Sequence, residues 1–284
     1  MVSSWQLFRA AAEKWSDHNA PRLGAALAYY AILSLAPLLI VMVVVAGQLF
    51  GAEAVKGQIF WQIRNIAGDA SANVVQAVLK DAAQHGKSGI VAGIAGFVML
   101  LAGASGIFIE LQNDLNYIWG AGSSTGSFWR RELKQRLTML GMVIGAGLLV
   151  MLSIVGSFVI QAGAKYASAY MAWPPFVLEA VNFTVSFLGI AFLFGLIYRT
   201  FPSVPLAWRD VAAGALITAA LFVIGKSLVG MYLARAAVGS TYGAAGSIVV
   251  LSAWVYYSSQ IFLYGAEFTR VYAERRGSRQ LQHA

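Results

Sequence analysis

Cysteine is absent from the 284 residues, which excludes disulfides, thiolate metal sites and thiol nucleophiles and leaves no redox compartment to be read. Charge is scarce too. Asp, Glu, Lys and Arg make up 11% of the chain, against roughly 25% in a soluble globular protein, and the deficit falls in long uncharged blocks. Histidine occurs three times, at His18, His85 and His283, in separate segments without metal-ligand spacing. Glu110, Asp114 and Glu267 fall on one side of the expected membrane, but a hydrolytic metal site needs better-defined ligands. No catalytic residue, metal or cofactor is expected, and the chain does not read as an enzyme.

What is present is hydrophobic: 59% of the residues. This is the composition of an all-α, polytopic membrane protein. The net charge of +8 does not call for nucleic acid, because the basic residues flank the apolar blocks, as membrane insertion demands. The first apolar block is too long for a cleavable signal peptide.

About 20 helical residues cross the hydrocarbon core. The uncharged blocks then predict one membrane domain over 1–284, with six spans at about 21–50, 88–109, 137–162, 180–199, 210–233 and 243–268. The fifth must run past Lys226 to be long enough. Arg9, Lys14, Arg22, Arg130, Arg131, Lys134, Arg136, Arg199, Arg209 and Arg270 gather on one side with a basic tail at 269–284. The positive-inside rule therefore puts both termini in the cytoplasm, and the expected location is the bacterial inner membrane.

Two amphipathic regions accompany the spans. Trp5, Phe8, Ala12 and Trp15 recur at helical spacing, so residues 1–20 are expected to lie as a helix in the cytoplasmic interface. Asp17 or Asn19 can cap the next helix, with Pro21 in its first turn. The outer segment 51–87 carries Val55, Ile59, Ile63 and Ile66 on one face and Val75, Val78, Leu79 and Ala82 on another. Two short helices broken near Gly68 are expected there, capping the bundle or lying on the lipid; the balance of polar and apolar residues favours the cap.

Within the spans, GIVAGIAG at 89–96, GASG at 103–106 and GMVIG at 141–145 permit close helix approach, which explains them better than ligand binding does. Pro37 removes a backbone donor and is expected to kink the first span, freeing the carbonyl of Leu33, with Ser34 placed to compensate. Ser252, Tyr256, Gln260, Tyr264 and Glu267 share one face of the last span. Polar groups at that depth fix helix packing or line a hydrophilic pathway.

Depth separates the two charges that invite pairing. Lys226 lies ~25 Å beyond Arg209 and within about 10 Å of the outer boundary, whereas Glu267 is near the cytoplasmic surface. Lys226, with Tyr232 and the polar face, is the candidate pathway or headgroup site, the alternative being a lysine stem that reaches up to the interface. Glu267, Glu110 and Asp114 with Arg22, Arg199, Arg209 and Arg270 form a candidate cytoplasmic ion-pair layer.

The runs RLGAALAYYAILSLAPLLI at 22–40, LQNDLNYIWG at 111–120, YRTFPSVPLAWRDVAAGALITA at 198–219, GKSLVGMYL at 225–233 and STYGAAGSIVVLSAWVYYSSQIFLYGAEFTR at 240–270 resemble the YihY/BrkB family of bacterial inner-membrane proteins. The resemblance implies six helices and a role in envelope biogenesis or lipid transport. It also brings a "ribonuclease BN" label generally held to be a misassignment. It places Tyr29, Tyr30, Asn116, Tyr198, Lys226, Tyr232, Tyr242, Gly243, Trp254, Tyr256 and Glu267 at family motif positions, and it names no substrate. Two functional expectations follow: transport of a lipid or other anionic amphiphile, or a non-transporting scaffold of envelope machinery. Membrane lipids are the expected partners, with other envelope proteins as candidates and no nucleic acid. The sequence fixes no oligomeric state.

Overall fold

The computed structural model describes residues 3–85, 106–121, 175–235 and 244–278. Among them there is no strand. The helices are α1 (Ser4–Asp17), α2 (Ala20–Phe50), α3 (Ala52–His85), α4 (106–118), α5 (Pro175–Thr200), α6 (Trp208–Arg235) and α7 (Ala244–Arg275). Among the described residues three stretches are long and apolar enough to cross a membrane: Phe183–Thr200, Trp208–Val229 and Ile248–Arg275. The expected span at 137–162 and nearly all of that at 88–109 lie outside the described residues.

Local sequence sets the first elbow. Ser3 N–H donates to Gln6 Oε1 at 3.0 Å, which fixes the start of α1. At its end Asn19 takes φ 50°, a left-handed conformation that asparagine tolerates better than most residues. The Asn19 carbonyl then accepts from Arg22 N–H at 2.9 Å. Pro21 falls in the first turn of α2, where a missing N–H breaks no helical bond. α1 and α2 are thereby joined with only His18 and Asn19 between them.

α7 is the axis of the molecule. From Ile261 to Thr269 every residue except Tyr264 is buried, because α1, α2, α3 and α6 all pack on it. Its inner half shares a core with Tyr198 and Phe201, with Leu115, Ile118 and Trp119 of the α4 end, and with Leu27. The connection from α5 to α6 is held from α4: Gln112 Nε2 donates to the Phe201 carbonyl at 3.1 Å, and Asn116 Oδ1 accepts from Ser203 N–H at 2.7 Å. Asp210, buried in the first turn of α6, accepts from Ser278 N–H at 3.1 Å and Ser278 Oγ at 2.5 Å. That ties the end of α7 to the start of α6.

Three details differ from the sequence reading. α1 buries Leu7, Ala10 and Ala11 against Phe268 and Val271 of α7, while Trp5 and Ala12 are exposed. The face that docks is thus rotated from the Trp5–Phe8–Ala12–Trp15 stripe, since a protein surface accepts small residues where lipid favours large ones. α2 continues as helix through Pro37, whose side chain lies outside the described residues, and Ser34 Oγ donates to the Ala31 carbonyl at 3.0 Å and not to that of Leu33.

The third concerns the outer segment. α3 does break at Gly68 (φ 81°, ψ 172°), in a region essentially restricted to glycine. Its two halves do more than cover an end. Val55, Ile59, Val75 and Leu79 form a core with Leu39 of α2, and Leu35 and Ile63 pack on it. Leu39 and Ile63 are each twelve residues from Gly51, which takes φ 85° at the turn between α2 and α3. The first half of α3 therefore runs back beside α2 for ~18 Å before Gly68 reverses it.

Candidate functional site

Buried polar groups gather where the α1–α2 elbow, the end of α4 and the inner half of α7 meet. Glu267 is 0% exposed, held there by the close packing of α7. Its Oε1 lies 2.5 Å from His18 Nδ1, and the His18 side chain is 18% exposed. The elbow supplies the histidine: it is the residue that ends α1, so its ring turns inward while α1 itself lies across α7. The Tyr117 ring meets the imidazole edge-on, with centroids 5.0 Å apart. Glu267 Oε2 is buried without a hydrogen-bond partner among the described residues.

One turn further, Arg270 Nε bonds Glu274 Oε1 at 2.8 Å, and the same guanidinium donates to the Ile118 carbonyl. It closes the exposed C-terminal carbonyls of α4, where a cation is favoured. Asp114, also on α4, is 3% exposed, and its Oδ2 has no hydrogen-bond partner among the described residues. Burial, reinforced by the neighbouring Glu110, pushes its carboxyl up to about 7. Asp114 therefore changes charge close to neutrality, where an ordinary aspartate does not.

The expected ion-pair layer is assembled differently. Glu267 meets a histidine, Arg270 meets Glu274, and among the described residues none of Arg22, Arg199 and Arg209 meets a carboxylate. Arg199 lies over the Trp208 ring, 4.5 Å from its centroid, and Arg22 and Arg209 are exposed. Long basic side chains at a membrane edge gain more from water than from holding one geometry. The described residues contain no group of three or more His, Asp or Glu able to hold a metal ion.

The polar face of α7 divides by depth. Ser252 Oγ bonds its own helix at the Ile248 carbonyl, 2.7 Å away, and Tyr256 is exposed. Gln260 Nε2 reaches toward the Ala20 carbonyl at 3.5 Å and fills the space above Gly24. Tyr264 OH donates to the Phe8 carbonyl at 3.1 Å. Gln260 and Tyr264 thus anchor α1 and α2, and among the described residues Ser252 and Tyr256 do not bond to another helix. Lys226 is half-buried on α6, with no hydrogen bond or ion pair among the described residues. The Tyr232 side chain lies outside them. In α3, Arg64 and Asp69 form an ion pair across the Gly68 break, and Arg64 also lies 5.1 Å from the centroid of the Trp61 ring.

His18 and Asp210 are the residues that the sequence reading passed over. A lone histidine without metal-ligand spacing gives no site by itself; the available signal is that the polar stripe of α7 needs polar partners on another element. Asp210 carried a usable signal as an acidic residue in a helical first turn.

The sequence model of the family described as virulence factor BrkB matches residues 11–284. A UPF0761 membrane protein of Ralstonia nicotianae is 28% identical over 271 residues, covering 92% of this chain and 57% of the relative. One of Tolumonas auensis is 30% identical over 190 residues, covering 66% of this chain and 60% of the relative. One of Aggregatibacter aphrophilus is 27% identical over 275 residues, covering 94% and 93%. The chain thus spans little more than half the length of the Ralstonia and Tolumonas relatives. No solved structure matches.

Proposed function

The chain belongs to the virulence factor BrkB family of membrane proteins, and from that premise we propose that it is a multi-pass protein of the bacterial inner membrane that moves a lipid or other anionic amphiphile during envelope biogenesis. In this reading six spans leave both termini in the cytoplasm, as the basic flanks require. The activity is movement across or along the bilayer; bond cleavage and RNA have no part in it.

The observation that carries the reading is the return of α3 alongside α2. An interrupted helix at membrane depth leaves backbone polar groups that hydrocarbon cannot satisfy, and such breaks are tolerated only inside protein or beside a water-filled cavity. In this reading the break at Gly68, with the Arg64–Asp69 pair across it, lies at that depth, and intramembrane charges mark substrate or ion pathways. A hydrated vestibule open to the outer side accounts for both. Lys226, in the outer third of α6 and without an anionic partner among the described residues, suits an anionic headgroup as a point charge on a flexible stem.

Reconstitution tests this. Liposomes containing the protein and a fluorescent phosphatidylglycerol are exposed to an impermeant quencher, and the fraction quenched with time reports lipid exchange between leaflets. Exchange faster than in protein-free liposomes, and slowed about tenfold by Lys226→Ala, is the expected result; a tenfold loss corresponds to about 1.4 kcal/mol. Exchange equal to that of empty liposomes overturns the proposal.

A further inference from the structure

We propose that His18 and Glu267 form a proton-binding site that clamps the α1–α2 elbow to α7, and that the proton is the coupling ion of the transport proposed above, a use that rests on that reading. Contact at 2.5 Å between Nδ1 and Oε1 joins an atom with a lone pair to an oxygen that only accepts when ionised. The pair holds together when one proton lies between the two atoms. That proton belongs either to the imidazole, which then donates to the carboxylate, or to the carboxyl, which then donates to Nδ1. With a second ring proton on Nε2 the pair is an imidazolium bonded to a carboxylate; when that proton leaves to cytoplasmic water the ring keeps a single N–H, the ion pair is lost beside a buried carboxylate, and where the remaining N–H sits on Nε2 two acceptors face each other.

The second carboxylate oxygen points the same way. Oε2 is buried without a partner among the described residues, so an isolated carboxylate there lacks the hydrogen bonds that a buried charge needs. The surroundings supply no substitute clamp. From α1, Lys14 faces Glu267 at longer range, as does Arg270 from α7 itself, and Arg270 is already engaged with Glu274 and the Ile118 carbonyl. From α4, Tyr117 presents its ring edge to His18; Glu110 and Asp114 are the other ionisable groups on that helix. From α2, Arg22 is exposed. From α6, Asp210 is taken up by Ser278.

The position of the histidine turns proton occupancy into movement. His18 and Asn19 are the only residues between two helices, and Asn19 holds a positive φ. Asparagine tolerates that conformation, so this two-residue elbow is a place where the chain can change helix direction at little cost. With the proton in place the elbow is bound to α7, and the Tyr264 and Gln260 contacts to Phe8 and Ala20 close around it. Without it, α1 keeps the packing of Leu7, Ala10 and Ala11 against Phe268 and Val271 and the Phe8–Phe268 ring contact, but its junction with α2 loses the ionic hold on α7.

Because the chain has no native cysteine, Ala12→Cys on α1 and Arg275→Cys at the end of α7, both exposed positions, take spin labels cleanly. Pulsed electron paramagnetic resonance then reads the distance between the two labels in nanodiscs across pH. In the otherwise native chain, a longer-distance population is expected to rise from about a tenth or less to the majority as pH is raised. Glu267→Gln replaces the shared proton by an amide that donates at any pH, so the short distance is expected to persist throughout. His18→Gln is read in the same way, and serves if Glu267→Gln does not fold. A native-chain distance that ignores pH, or an equal response in the folded variants, overturns the proposal. The measurement reads a helix distance and no lipid movement, so its failure is distinguishable from failure of the transport reading.

Discussion

Gly265 of α7 lies so close to Thr218 of α6 that a Cβ on the glycine would overlap the threonine Oγ1, and Gly214 of α6 meets Thr269 of α7 in the same way one turn along. Each threonine hydroxyl donates to the carbonyl of the glycine in its own helix: Thr218 to Gly214 at 2.8 Å and Thr269 to Gly265 at 2.7 Å. The polar groups are thus satisfied within each helix, and the methyl-sized gaps are filled from the other. This reciprocal small-residue crossing holds two antiparallel membrane helices together without a hydrophobic driving force between them.

Adding one methyl group at either glycine is therefore expected to separate α6 from α7. Gly265→Ala should destabilise the fold by about 1–3 kcal/mol, the usual cost of overpacking. Gly189→Ala on α5, where a Cβ meets nothing within 4 Å, should be neutral or stabilising by up to about 1 kcal/mol. Thermal unfolding in one detergent compares them, and equal midpoints for the two variants would contradict the crossing.

Tyr198 completes the same crossing from α5. Its buried hydroxyl donates to the Phe262 carbonyl at 2.7 Å and lies 3.1 Å from Thr218 Oγ1. Tyr198→Phe keeps the ring stacked on its neighbours but leaves the carbonyl without this donor. A loss of about 1–2 kcal/mol is expected, whereas Tyr29→Phe, on an exposed tyrosine, should change nothing measurable.

These features were legible to different degrees, for physical reasons. Helices α5, α6 and α7 followed from hydrophobic length, which a 20-residue bilayer crossing makes a strong signal. The break at Gly68 followed from a glycine between two amphipathic runs. Where α3 would go did not, because a half-polar helix pair suits a surface and a lined cavity equally well. The polar stripe of α7 identified Gln260, Tyr264 and Glu267 as facing protein. Their partners were not legible, because two are backbone carbonyls of α1 and α2 and the third is a histidine placed by a left-handed Asn19. Depth put the arginines and carboxylates in one layer but not into pairs, because an exposed arginine gains more from water than from holding one geometry.

Asp114 makes the stability of the fold depend on pH. Its carboxyl titrates at about 7 in the folded chain, and near 3.9 when unfolded. The folded state therefore holds a proton that the unfolded state has already released, and stability falls as pH rises between those two values. Asp114→Asn, which mimics the protonated form, should match the native chain near pH 4. By pH 8 it should exceed it by an amount on the order of 2–4 kcal/mol. Unfolding midpoints of both proteins across this range measure the effect, and a variant that is destabilised at pH 8 would mean that an ionised Asp114 has a partner.

The Arg64–Asp69 pair at the Gly68 break tests whether α3 enters the bilayer from the outside. If the break lies beside a hydrated vestibule, Asp69→Cys in this cysteine-free chain should react with a membrane-impermeant maleimide added outside sealed right-side-out vesicles. A cysteine placed at Val185, exposed on α5 within a membrane-crossing stretch, should resist the same reagent, because a thiol surrounded by lipid does not ionise to the reactive thiolate. Labelling at both positions would place α5 in water, and protection at both would seal the break within protein or lipid. Gly68→Ala adds the mechanical half of the test. Its φ of 81° penalises any side chain by on the order of 1–3 kcal/mol, so the variant should shift the turn and lower the outside labelling of Asp69→Cys several-fold. The reciprocal crossing of α6 and α7, remote from the turn in sequence, should keep its thermal midpoint within a few degrees.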